Sequence, residues 1–315
     1  MADDLTPGKG RRPGGAVPPA ADPDAAGHAA APHMPPLASD RYPDNLLDKR
    51  TVDDMDGGGQ GASRWAERMP VLSEDQKAEA EASIDAGLER VARVHRILNL
   101  EGHHDMSLGH LSWRDPLGRG LWLKRARLGI EEVTADDFIL IDFDGRVLVG
   151  CAVHRHLEWP IHTELMKRRP DIVAVGHTHP RYATLFSCTR ETLRPLTNEG
   201  VWFEKPPPFF TETSDLVDTV ALGRAHAQAM EGHDAIFLRN HGVSFVGRSI
   251  QELCLTGIFL EKACRAQIEL AQSGLPYSWP EPEEVARKRA NIYPPRARDN
   301  FFAYYDRLLT RIEQG

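Results

Sequence analysis

Regular apolar patterning in this chain begins at Ser73. Through SEDQKAEAEASIDAGLERVARVHRILNLEG, Ile84, Leu88, Val91 and Leu98 return at helical spacing, and Ser73 with Gln76 carries the signature of a capping box. The period then shortens. LWLKRA (121–126) reads as a strand, and in FILIDFDGRVLVG (138–150) two β-rich runs flank Asp144-Gly145, a hairpin signal. EWPIHTELMKRRP predicts a helix entered through Pro160 and closed before Pro170. Beyond it, DIVAVGHTHP (171–180) predicts a strand, RYATLFSCT a short helix and DLVDTVALGRAHAQAM another helix. AIFLRNHGVSFVG (235–247) predicts two strands turning at Asn240-His241-Gly242, followed by a long helix over SIQELCLTGIFLEKACRAQIELAQSG. FFAYYDRLLTRIEQ predicts one more helical stretch in the tail. Strands interleaved with helices, without steady βαβ alternation, predict an α/β layered fold with a central, mostly antiparallel sheet flanked by helices.

Residues 1–70 show no such period. GGAVPPAADPDAAGHAAAPHMPP is rich in Pro, Ala and Gly, cannot bury a face, and predicts a disordered tail in which His28 and His33 are solvated. DMDGGGQG (54–61) is glycine-rich, but no Gly-Lys-Ser/Thr follows it, so it reads as a linker rather than a phosphate loop. The chain therefore divides into this tail, a domain over 71–275 and a C-terminal helical extension over 276–315. Of its 315 residues 41% are hydrophobic, enough for a sizeable core, and a net charge of −8 invites neither nucleic acid nor an acidic membrane surface. No apolar run approaches the roughly 20 residues of a membrane span, and MADDLTPGKGRRPGG lacks the apolar core of a secretory signal. Cys254 and Cys264 lie ten residues apart on one predicted helix, about 15 Å of rise, too far to bridge. The expected location is a reducing cytoplasm.

The candidate chemistry lies in histidines. Side chains two apart on a strand point the same way, so His177 and His179 in GHTHP leave one face of a strand end. Neutral imidazoles so placed are either half of a metal site or satisfied polar residues at a loop, and spacing alone leaves both readings open. His241, at a sharp turn in RNHG, is a third candidate ligand, and Glu158, just before a proline-started helix, is a carboxylate aimed from a fixed backbone. His162, four residues after Glu158, reads as support or packing, and His103 and His104 as surface-loop residues.

EWPIHTELMKRRPDIVAVGHTHP, with RNHGV downstream, resembles the class II aldolase/adducin family. In that family a Glu, a His-x-His after a strand and a distant His-Gly turn bind one divalent metal. The resemblance puts Glu158 in the carboxylate position, 177 − 158 = 19 residues before the first ligand, and His177, His179 and His241 in the three imidazole positions. MSLGHLSWRDPLGRGLWLKR resembles the family's Gly-Asn-(Ile/Leu)-Ser-x-Arg segment, and the likeness runs from about Ser73 to Ser273. It implies one divalent metal per subunit, zinc first and manganese, cobalt or iron after it, and a homo-oligomer, commonly a tetramer.

The chain departs from the family's sugar-phosphate aldolases where they hold phosphate. Gly109 is kept, but His110 replaces Asn, KRARLG (124–129) stands near the Thr-Gly position, and His156-Leu157 replaces Ser-Ser. Those losses remove sites for phosphate, while Lys124, Arg125, Arg127, Arg155 and His156 would suit a planar carboxylate through forked hydrogen bonds. The aldolases' tyrosine acid is also missing: 198 − 177 = 21 residues after the first ligand lie Asn198 and Glu199, candidates for the pocket. With these substitutions the chain looks like family members that decarboxylate hydroxylated aromatic acids such as dihydroxyphthalate. The expectation is a carbon–carbon lyase acting on a small carboxylate through a metal-stabilised enolate. Glu158 would be its acid/base, and Gly109, His110, Lys124, Arg125, His156, Asn198 and Glu199 its substrate contacts. Alternative expectations are an aldolase on a non-phosphorylated substrate, an iron(II) oxygenase on a phenolic acid, and an adducin-like interaction protein without catalysis.

Overall fold

The computed structural model describes residues 73–315; the expectations for the Pro/Ala/Gly-rich tail, its linker, His28 and His33 lie outside them. Helix α1 (Glu74–Leu98) starts as its first residues predict. Gln76 N donates to Ser73 Oγ at 3.2 Å, and Ser73 N donates to Gln76 Oε1 at 2.9 Å. A π-type turn over Asn99–His103 reverses the chain at Gly102, whose φ of 92° belongs to glycine's range.

Eight strands follow: β1 (His110–Arg114), β2 (Leu121–Lys124), β3 (Phe138–Ile141), β4 (Val147–Val149), β5 (Ala174–Thr178), β6 (Phe209–Phe210), β7 (Ala235–Leu238) and β8 (Gly242–Gly247). They form one sheet in the order β4-β3-β2-β1-β5-β8-β7-β6, antiparallel throughout except for the β6–β7 pair. The sequence pattern missed β1, whose HLSWR mixes polar and apolar residues because its two faces meet different surroundings. Between the strands lie α2 (Trp159–Arg168), α3 (Arg181–Ser187), the short α4 (Asn198–Val201) and α5 (Val220–Ala229). The long α6 (Ile250–Ser273) is capped by Ser249 and ends at Gly274 with φ 67°. The tail holds two helices where one was expected, α7 (Pro282–Ile292) and α8 (Pro295–Glu313), each opened by a proline in its first turn.

Alternation along the strands divides the interior into two cores. Leu111, Trp113, Trp122, Val243 and Phe245 face α1 and α6, together with Tyr305 and Leu309 of α8. Leu121, Leu123, Val175, Ile236 and Val246 face Ile161 and Leu165 of α2 and Ala227 of α5. Each fully buried Leu, Ile or Val contributes about 1.5–3 kcal/mol, so both faces hold the sheet firmly. The tail is tied to α1 by ionic contacts: Arg93 Nε donates to Asp306 Oδ1 at 2.6 Å and Arg96 Nε to Glu313 Oε1 at 2.8 Å. Of its aromatic cluster, Tyr305 is buried and Phe302 packs against the first core, while Phe301 and Tyr304 are exposed.

α2 and α5 approach closely because Gly223 has no side chain. A Cβ there would lie 2.7 Å from the Pro160 carbonyl oxygen and 2.8 Å from Pro160 Cβ. Alanine normally stabilises a helix interior over glycine by about 0.5–1 kcal/mol, but overpacking against a fixed backbone costs about 1–3 kcal/mol. Gly223→Ala is therefore expected to lower the Tm by several degrees in a thermal melt, and an unchanged or raised Tm would show that the two helices can part freely.

Candidate metal centre

The site grows from one row of the sheet. His110 of β1 lies opposite His177 of β5, and His177 lies opposite Ser244 of β8, so all three side chains leave the α2 face. His179 follows just beyond the strand end. His241 sits in the turn between β7 and β8, where Asn240 adopts φ 57° and a Cβ on Gly242 would come within 2.4 Å of the His179 ring. Glu158 directly precedes α2, whose second residue is Pro160.

These elements converge. His177 Nε2 lies 3.1 Å from His179 Nε2 and 3.3 Å from Glu158 Oε2, and His241 Nε2 lies 3.9 Å from Glu158 Oε1. Ligating atoms of His177, His179 and His241 fall within 4.8 Å of one another, as do those of His110, Glu158 and His177. The outer nitrogens of His177 and His179 are engaged. His179 Nδ1 meets the Asp105 carboxylate, and His177 Nδ1 lies 3.3 Å from Ser244 Oγ. An Nδ1–H given to Asp105 leaves the His179 Nε2 lone pair turned toward its neighbours, the arrangement by which a carboxylate orients a metal-binding imidazole.

Electrostatics favour a neutral His241 imidazole beside an ionised Glu158. Burial together with the neighbouring His177 pushes the His241 imidazole down to about 4. Burial opposes ionisation of Glu158, but the His177 and His241 rings and the Val217 N–H, donated to Oε1 at 2.9 Å, outweigh it and hold the carboxyl well below its usual range. Three imidazoles, those of His177 and His179 with their outer nitrogens engaged, and an ionised carboxylate are a donor set that fits one divalent cation of the zinc type.

Beside the cluster lies a second group of imidazoles. His110 Nδ1 is 2.7 Å from His162 Nε2, and His162 Nδ1 is 2.7 Å from Ser112 Oγ, all of them buried. The His156 ring stands 4.2 Å from that of His110, and burial next to Lys124 pushes its imidazole down to about 3. His110, His156, Glu158, His179 and His241 open into one cavity of about 520 Å³.

Residues 89–268 match the family described as Class II Aldolase and Adducin N-terminal domain. The chain belongs to this family. Decarboxylase NovR of Streptomyces niveus is 33% identical over 156 residues, covering 49% of this chain and 57% of that protein, so the likeness spans little more than half of NovR. The 3,4-dihydroxyphthalate decarboxylase of Rhodococcus jostii is 27% identical over 208 residues, covering 62% of this chain and 84% of that one. Among solved structures, L-fuculose 1-phosphate aldolase from Glaciozyma antarctica superposes with a TM-score of 0.66 at 25% identity, covering 75% of this chain and 92% of its own. Among the described residues no helix is long and apolar enough to cross a membrane.

For this class II aldolase family member, the structure brings together Glu158, His177, His179, His241, His110 and His156. Gly109 is tied to the site through Asp105, its N donating to Asp105 Oδ1 at 3.3 Å. Four expected substrate contacts are placed elsewhere. Lys124 is wholly buried and donates its Nζ to the Leu128 carbonyl, while Arg125 Nε donates to Asp137 Oδ1 at 2.6 Å. Asn198 and Glu199 belong to α4, where the Asn198 carbonyl accepts from Tyr293 Oη at 2.8 Å, away from the cavity lining. His103 is no surface residue: it is fully buried, with Nδ1 2.8 Å from Thr178 Oγ1 and Nε2 3.2 Å from the Gly257 carbonyl. Asp105 and Ser244 were not anticipated, since neither occupies a motif and each acts across more than sixty residues of chain.

Asp105 also binds the Leu108 and Gly109 N–H groups, so it couples the cavity loop to His179. Asp105→Asn is expected to weaken divalent-metal binding about 10–100-fold in a chelator-competition titration, with the circular dichroism spectrum retained. Unchanged affinity would reduce Asp105 to a loop tie.

Proposed function

We propose that the chain is a divalent-metal-dependent carbon–carbon lyase that decarboxylates a hydroxylated aromatic acid. The observation that carries this reading is the cluster of His177, His179, His241 and Glu158, of which His179, His241 and Glu158 reach the wall of a cavity that also presents the His110 and His156 imidazoles and the Arg127 and Arg155 guanidinium groups. His177, His179 and His241 would hold the cation, with zinc the first choice, and Glu158 completes the set when no substrate is bound. Once bound, the cation supplies Lewis acidity for the electron pair left by the broken carbon–carbon bond.

The chain's own groups do the rest. Glu158 begins as a carboxylate, held by the Val217 N–H, so it can take the proton of a ring hydroxyl and return it to the carbon that loses CO₂. His110 is held by His162, which Ser112 bonds in turn, and with the neighbouring His156 it offers hydrogen bonds to the substrate's oxygens. Support for a carboxylate rather than a phosphate comes from His156-Leu157 and His110, which replace the small hydroxyl and amide residues of the aldolases. The likeness to the NovR and dihydroxyphthalate decarboxylases points the same way. Aldol cleavage of a non-phosphorylated substrate is the second reading, favoured by the likeness to L-fuculose 1-phosphate aldolase. A homo-oligomer in the cytoplasm accompanies both.

Glu158→Gln tests the assignment. In the metal-loaded chain, CO₂ release from hydroxylated benzoates and phthalates is expected to fall by about 10²–10⁴, with one equivalent of metal retained. Full turnover by that variant with metal bound would remove Glu158 from proton transfer, and retro-aldol turnover in place of CO₂ release would bring the second reading forward.

A further inference from the structure

The run KRAR (124–127) carries three cations, and the structure commits two of them. Lys124 donates to the Leu128 carbonyl and Arg125 to Asp137. Arg127 makes no hydrogen bond or ion pair with any described residue, yet it stands exposed on the wall of the cavity that holds Glu158 and His241. Its backbone has φ 67°, the left-handed region that favours glycine or asparagine and disfavours a long side chain.

That conformation is held from several sides. Arg125 N donates to the Asp137 carbonyl at 2.9 Å and Ala126 N to the His154 carbonyl at 2.8 Å, while the Lys124 ammonium closes the loop onto Leu128. The Ala126–His154 bond also sets the loop beside the segment that brings Arg155 and His156 to the same cavity. Arg155 is already engaged, donating to the Gly145 carbonyl with its guanidinium 5.1 Å from the Trp159 ring. The acids on the wall are Glu158, satisfied within the histidine cluster, and the exposed Asp215, which makes no ion pair with Arg127. An uncommitted guanidinium kept in a disfavoured backbone conformation by its surroundings is the kind of strain found at ligand clamps.

We propose that Arg127 recognises a carboxylate other than the one at the reacting carbon, so that the site selects aromatic acids carrying two carboxylates. This rests on the carboxylate-substrate reading of the cavity given above. A guanidinium fork matches a carboxylate in two parallel hydrogen bonds, which a lysine in its place would not reproduce.

The test is calorimetric titration of the zinc-loaded full-length chain with phthalate and with benzoate, which differ by one carboxylate. The wild type is expected to prefer phthalate by about tenfold or more. Arg127→Asn, neutral and tolerant of positive φ, should abolish that preference while changing benzoate affinity less than about twofold, and Arg127→Lys should keep part of it. The Tm of Arg127→Asn should hold or rise, which separates lost recognition from lost folding. A wild type without preference, or an Arg127→Asn variant that keeps it, overturns the proposal. The lyase reading fails separately: a phthalate preference that depends on Arg127 without CO₂ release would leave the recognition intact and the proposed reaction wrong.

Discussion

One cross-strand row governs this molecule. His110, His177 and Ser244 face the same side of three adjacent strands, in register across two antiparallel ladders. A slip of one residue in either ladder would turn one of these groups into the apolar core against α1 and α6, so the register that buries Leu111 and Phe245 is also the register that assembles the imidazoles. Gly176, between Val175 and His177, makes the row possible from behind. A Cβ there would lie 2.6 Å from the Phe245 ring, and the strand could not sit so close to its neighbour's aromatic side chain.

The second constraint is the placement of α2. Its N-terminus carries Glu158 to the row, and its body buries Ile161 and Leu165 in the second core. Close passage of α5, allowed at Gly223, presses α2 onto the sheet. The carboxylate is therefore positioned by apolar packing on the far side of its own helix, and His162, one turn further on, bonds His110 and Ser112 from the same helix. Stability and site geometry share a single set of contacts here.

What the sequence makes legible follows from range. His-x-His at a strand end, a histidine in a tight Asn-x-Gly turn and a glutamate ahead of a proline-started helix are local patterns, and their convergence was readable because the family resemblance orders them along the chain. The mostly antiparallel sheet was readable for the same reason, through period and turn residues. Asp105 was not, because its partner His179 is 74 residues away and no spacing rule connects an acid in one loop to an imidazole just past a strand end. Lys124 misled in the opposite direction. Its charge suggested a ligand contact, but β2 is central, buried on both faces, and the side chain turns back to a carbonyl of its own loop. The expectation for Asn198 and Glu199 rested on distance along the chain alone, and α4 carries them toward the tail helices.

Burial also decides what kind of polarity the cavity offers. Removing His110, His156 and His162 from water pushes all three imidazoles well down, so near neutral pH they contribute hydrogen bonds and no charge. Protonating any of them would place a cation in a desolvated cluster with other imidazoles around it. Glu158 stays ionised beside them, held well below its usual range by the His177 and His241 rings. On the proposed reading, an anionic substrate would be drawn in by a cation held by His177, His179 and His241 and by the guanidinium groups of Arg127 and Arg155 on the cavity wall. On that reading the neutral imidazoles of His110 and His156 would offer hydrogen bonds to a planar, oxygen-bearing ring lying between the two.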